Sequence, residues 1–245
     1  MSPIRLAIIE ADTPMPKTNA RSGGYFGVFS ELFTAATAPA PLSSALALTR
    51  FNAHDDPDTY PSLDDIDGML ITGSKHNAMD GDAWIVKLVE FTRAAMERGI
   101  KVVGVCFGHQ IVGRALGTPV LRSDKGWEIS VMEIELTAEG KKVFQQDKMN
   151  IFQMHRDYVA ETPKDAMLLA KTDLCPNQGF YIPGKCITVQ GHPEFTSVIV
   201  SEIVGVRHEL GAFDKSMYED AMARVDKPHD GVSIAKAFIR FLKGE

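Results

Sequence analysis

Val102-Val103-Gly104-Val105-Cys106-Phe107-Gly108-His109-Gln110-Ile111 changes character in its middle. The apolar run up to Val105 suits a buried strand, and the residues from Phe107 onward suit a helix that starts without a loop. At the junction stands Gly-x-Cys-x-Gly, with Gly104 and Gly108 flanking Cys106. This is the thiol counterpart of the G-x-S-x-G elbow, where small flanking residues let the chain turn sharply enough to expose a nucleophile. The placement puts the thiol at a helix N-terminus, whose dipole favours the thiolate, and points the Phe107 backbone N–H at a developing oxyanion. The plainer alternative is a small buried core cysteine. Glycines on both sides of a strand-to-helix junction argue against it.

Working outward, Lys101–Val105 is the last of four apolar runs bounded by Gly, Pro, Asn or Asp, the others being residues 4–9, 46–51 and 66–72. Trp84, Leu88, Phe91 and Ala95 recur at helical spacing before Gly99, a helix stop. Such alternation predicts an α/β fold with a mostly parallel sheet and helices on both faces. Residues 130–136 alternate as a half-exposed strand. Met167–Lys171, Gly179–Ile182 and residues 186–190 are further short strands, read as an antiparallel extension or edge of the same sheet. Helices are expected at 197–210, 215–225 and 232–242. No repeat or domain linker is visible, so residues 1–245 read as a single domain. Residues 12–27 carry Pro14, Pro16, Gly23, Gly24 and Gly27 and read as a long irregular loop, either functional or a mobile surface segment.

Composition narrows the function classes. The 245 residues hold 26 Lys and Arg against 32 Asp and Glu, a net charge of −6, which disfavours a general nucleic-acid binder. Only three cysteines occur, Cys106, Cys175 and Cys186, without a C-x-x-C, so neither a disulfide framework nor a metal centre is expected. Cys175 and Cys186 read as structural thiols. No apolar run approaches the roughly 20 residues of a membrane span, nor a signal-peptide core. The expectation is a soluble cytoplasmic protein with reduced thiols and no cofactor.

A thiol nucleophile needs a base and a group that orients it. Gln190-Gly191-His192-Pro193-Glu194-Phe195 follows a strand and offers both. Pro193 holds His192 extended, so Glu194, two residues on, faces the same side and can fix the imidazole tautomer. A second oxyanion donor is expected from Thr72-Gly73-Ser74 at the end of another strand, where Gly73 permits close approach. By itself that segment could equally be a tight turn.

Together, Cys106-x-Gly108-His109-Gln110, the Gly191-His192-Pro193-Glu194 segment and the Thr72-Gly73-Ser74 loop resemble the class I glutamine amidotransferase family. The similarity runs from about Ile66 to Phe195 and is greatest to stand-alone members of the γ-glutamyl peptidase-like and GMP-synthase-like branch. The resemblance implies a flavodoxin-like three-layer sandwich, a Cys106–His192–Glu194 triad, an oxyanion hole from Gly73 and Phe107, and a γ-glutamyl thioester released by water. It further implies substrate contacts by Gln110, by Trp127 and Glu128, and by His155 and Asp157. A packed aromatic at Trp127 and a satisfied surface histidine at His155 are the competing readings. His109 is expected to pack or hydrogen-bond structurally.

Relatives normally pass ammonia to a synthetase partner or fused synthase. This sequence shows no synthase segment and no G-x-x-x-x-G-K-[ST] loop, so it supports the hydrolytic half-reaction and leaves the acceptor open. Three readings follow: a thiol hydrolase of γ-glutamyl amides or peptides, a glutaminase subunit feeding a separate synthetase, and a non-catalytic binding protein of the same fold.

Overall fold

Strand β1 (Ile4–Glu10) shows why the sheet is covered on both faces. Leu6 and Ile8 join one hydrophobic core while Ala7 and Ile9 join the other, the period-2 pattern of a strand with no wet face. The computed structural model describes residues 2–245. After β1 come two helices, α1 (Pro16–Ser22) and α2 (Tyr25–Thr37). The expectation of an irregular 12–27 is therefore corrected. Pro16 sits in the first turn of α1, where its missing N–H is harmless, and Gly23 at φ 68° closes that helix in the left-handed region. Pro16, Gly23 and Gly24, which looked like loop formers, stand at helix ends.

The chain continues through β2 (Leu46–Asn52), β3 (Gly68–Ile71), α3 (Ala83–Glu97), β4 (Lys101–Val105) and α4 (Phe107–Ala115). Next are β5 (Val120–Arg122), β6 (Glu128–Leu136), α5 (Ala138–Phe144), β7 (Met149–His155) and β8 (Asp157–Val159). Strands β9 (Met167–Lys171), β10 (Gly179–Ile182) and β11 (Cys186–Val189) precede helices α6 (Ser197–Glu209), α7 (Lys215–Arg224) and α8 (Gly231–Lys243).

Nine strands form one sheet in the order β2-β1-β3-β4-β11-β10-β9-β6-β7. From β2 to β11 the neighbours are parallel; from β11 outward they are antiparallel. This is the mixed α/β sandwich that the sequence predicts. Phe29 and Phe33 of α2 and Phe238 of α8 fill one core, with Ile199 and Val204 of α6. Ile85 and Leu88 of α3, with Phe107 and Ile111 of α4, fill the other. Each such side chain, fully buried, contributes about 1.5–3 kcal/mol. Among the described residues no helix is long and apolar enough to cross a membrane.

The parallel arrangement brings the C-terminal ends of β1, β3, β4 and β11 to one edge. Open α/β sheets bind ligands there.

Candidate active site

Cys106 lies between β4 and α4 with φ 53° and ψ −105°, a conformation that side-chain-bearing residues seldom adopt. The N–H of Cys106 donates to the Val189 carbonyl at 2.9 Å, tying the elbow to β11, and the Gln110 N–H donates back to the Cys106 carbonyl at 3.1 Å. The flanking glycines are demanded by crowding. A methyl on Gly108 would sit 2.2 Å from the Ile71 carbonyl oxygen, and one on Gly104 would sit 2.8 Å from that of Gly108. Helix α4 thus rests directly on the backbone of β3 and β4.

His192 follows β11. Its N–H donates to the Phe152 carbonyl at 2.7 Å, and its ring stacks on Phe195 with centroids 3.8 Å apart and planes inclined by 7°. Nδ1 lies 2.8 Å from Oε1 of Glu194, leaving the other ring nitrogen for Cys106. All three side chains are buried. Burial disfavours the charged imidazole, but the charges of Cys106 and Glu194 and the hydrogen bonds to both outweigh it and push His192 up to about 10. That is the direction of an imidazole held in its charged form. Among the described residues Glu194 pairs with His192 alone, and its Oε2 has no hydrogen-bond partner. Burial first, then Glu194, Asp12 and Cys106, push the Tyr25 phenol well above its usual range, so a neutral hydroxyl borders the site.

Gly73 closes the group: a methyl there would sit 2.7 Å from Cε1 of His192 and 3.6 Å from Cβ of Cys106. Its loop is pinned by Asp12, just after β1, which accepts from the Lys75 N–H at 2.8 Å and pairs with its Nζ at 2.6 Å. Residues 12–27 therefore serve the site through their first residue.

A cavity of about 230 Å³ opens over Cys106. Ser74 to Asn77, Phe107, Gln110, Arg122, Trp127, Met154 to Asp157, Arg207 and Ala212 line it. Of the candidate substrate contacts, Gln110, Trp127, His155 and Asp157 reach the cavity; Glu128 does not. The Gln110 Nε2 donates to the Asp157 carbonyl and to Oε1 of Gln190, both at 3.0 Å. Asp157 is held by a fork from Arg122, at 2.8 and 3.0 Å. His155 is buried rather than on the surface: Nδ1 lies 3.1 Å from the Asp157 carbonyl and Nε2 3.0 Å from Glu128. Glu128 stands behind His155 and accepts from Thr172 and Gln178. His109 binds Thr188 at 2.8 Å, and burial pushes it down to about 3, keeping it neutral.

Among the described residues one group of donors approaches a metal-like cluster, Glu128, His155 and Cys175, with ligand atoms within 4.8 Å of one another. Burial pushes the Cys175 thiol up to about 12, and both Glu128 oxygens already accept hydrogen bonds from Thr172 and Gln178. Cys186 is likewise pushed up to about 12 by burial.

The class-I glutamine amidotransferase family model matches residues 41–199, more than half of the chain, spanning Cys106, His192 and Glu194. The chain belongs to the class I glutamine amidotransferase family. A glutamine amidotransferase-like protein of Schizosaccharomyces pombe is 35% identical over 242 residues, 97% of this chain and 98% of that protein. Gamma-glutamyl peptidase 3 of Arabidopsis thaliana is 31% identical over 230 residues, 91% of this chain and 90% of that protein. A crystal structure of a glutamine amidotransferase from Thermotoga maritima is similar in fold, with TM-score 0.76 at 16% identity, covering 99% of this chain and 100% of that one.

Four amidotransferase residues escaped the sequence reading: Lys75, Arg122, Arg156 and Arg207, all lining the cavity. Lys75 was next to a recognised motif. Arg207 lies in the last turn of α6, where a basic residue ordinarily reads as a complement to the helix dipole.

Proposed function

We propose that the chain is a cysteine-dependent hydrolase of γ-glutamyl amide or peptide bonds. The observation that carries this reading is Cys106 at a left-handed elbow beside a buried imidazole that Glu194 and Cys106 together keep charged. Cys106 attacks the γ-carbonyl carbon, forming a C–S bond. The Gly73 and Phe107 amides receive the oxyanion. His192 gives its proton to the leaving nitrogen as the C–N bond breaks, which leaves a γ-glutamyl thioester. His192 then takes a proton from water, whose oxygen displaces the sulfur, and glutamate and the thiolate are regenerated. Gln110, His155 and Asp157 hold the glutamyl group, while Glu128 fixes His155 from behind. The likeness to a γ-glutamyl peptidase across most of both chains supports the same reading.

Incubation of wild type and Cys106→Ala with γ-glutamyl dipeptides and with glutamine tests it. Release of glutamate by wild type alone is expected. Unchanged substrates with both proteins would reject it.

A further inference from the structure

The protein carries a net charge of −6, yet four cationic side chains line the cavity over Cys106. Two are neutralised: Lys75 by Asp12 at 2.6 Å and Arg122 by Asp157 at 2.8 Å. Among the described residues, neither Arg156 nor Arg207 has a carboxylate within ion-pair distance. Both guanidinium groups instead lie over Trp127, Arg207 at 4.7 Å and Arg156 at 5.2 Å from the ring centroid. Nη1 of Arg207 is buried without a hydrogen-bond partner. A desolvated donor is costly when unmatched, so it marks where an acceptor belongs. Burial also pushes the Arg207 guanidinium down, although Cys106 and Tyr25 oppose this.

We propose that Arg156 and Arg207, both lying over the Trp127 ring, recognise a second carboxylate of the substrate, so that the preferred γ-glutamyl donor is a peptide with a free carboxylate rather than an amide. This inference rests on the γ-glutamyl reading above and concerns the leaving side. Glutamine brings one α-carboxylate, balanced by its own ammonium. A γ-glutamyl peptide adds another carboxylate beyond the scissile nitrogen, and two unpaired guanidiniums match that surplus. Arginine suits the task because its planar fork binds carboxylates in a bidentate manner, and the Trp127 ring holds the guanidinium planes without neutralising them.

The test is calorimetric titration of Cys106→Ala with γ-glutamylglycine and with γ-glutamylglycinamide, which differ by one carboxylate. The free acid is expected to bind about tenfold tighter, since hydrogen bonds between charged partners are the strong ones. Adding Arg207→Gln, and separately Arg156→Gln, should shrink that ratio toward one, with circular dichroism verifying the fold. Equal affinity for the two ligands, no binding of either, or a ratio unmoved by both arginine variants would overturn the clamp. Turnover by wild type separates the two claims. Preferential binding without hydrolysis would reject the hydrolase and keep the clamp, whereas hydrolysis without preference would do the reverse.

Discussion

At Cys106 a side-chain-bearing residue is held at φ 53°, which costs about 1–3 kcal/mol. Elsewhere glycine is about 0.5–1 kcal/mol less stabilising than alanine, because it loses more backbone freedom on folding. At this position the order should reverse: Cys106→Gly is expected to be more stable than Cys106→Ala by about 1 kcal/mol, both being inactive. Denaturant melts of the two variants check this, and the ordinary order would contradict an elbow under strain. His192 makes a pH statement. Folding raises its pKa from the ordinary 6.5 to about 10, so its contribution to stability is complete below pH 6.5 and is lost as pH rises through about 10. Activity should fall on the same alkaline limb, titrating as a property of the coupled pair. In Cys106→Ala the ring should titrate lower than in wild type by nuclear magnetic resonance, because the thiolate's attraction is gone. Glu194 acts through His192, so Glu194→Gln should lower kcat by about two orders of magnitude, less than Cys106→Ala. Steady-state kinetics showing equal losses would contradict that ranking.

Helix α4 carries the Phe107 amide and Gln110 into the site, and its height above β3 is set by Gly108. A methyl there meets the Ile71 carbonyl at 2.2 Å, so Gly108→Ala should destabilise by about 1–3 kcal/mol and displace the Phe107 amide, the proposed oxyanion donor. Gly205, within α6, has nothing within 4 Å of an added methyl, and Gly205→Ala should stabilise by about 0.4–1 kcal/mol. Thermal melts with the two substitutions agreeing in sign would contradict this packing. Elements with one-sided local signals were readable from sequence. The apolar runs of β1, β3 and β4 and the punctuated elbow are of this kind. Strand β7 was missed because Gln153 and His155, both buried, break the apolar pattern of Met149–His155. Their polarity serves a hydrogen-bonded layer with Gln178 and Glu128 that no local window reveals. Residues 12–27 were misread because proline and glycine look alike inside a loop and at a helix end.

Across the whole molecule, the site is assembled from strand ends far apart in sequence. Gly73 follows β3, Cys106 follows β4 and His192 follows β11, while Asp12 after β1 pins the loop of Gly73. Cys106, His192 and Glu194, which the structure brings together, could be picked out because each lies in a local motif. The cations could not, since Arg156, Arg207 and Trp127 meet only through folding, and an arginine on a helix otherwise reads as a solvated side chain. The net charge says nothing about this, since an acidic protein can focus unpaired positive charge in one cavity. The central claim is that Cys106 carries the γ-glutamyl group. Acid quenching of wild type during turnover of γ-glutamylglycine, followed by intact-mass and peptide mapping, tests it most directly. A γ-glutamyl adduct confined to the peptide of Cys106, and absent from Cys106→Ala, is the expected result. Glutamate released at undiminished rate by Cys106→Ala, or an adduct on Cys175 or Cys186 instead, would contradict it.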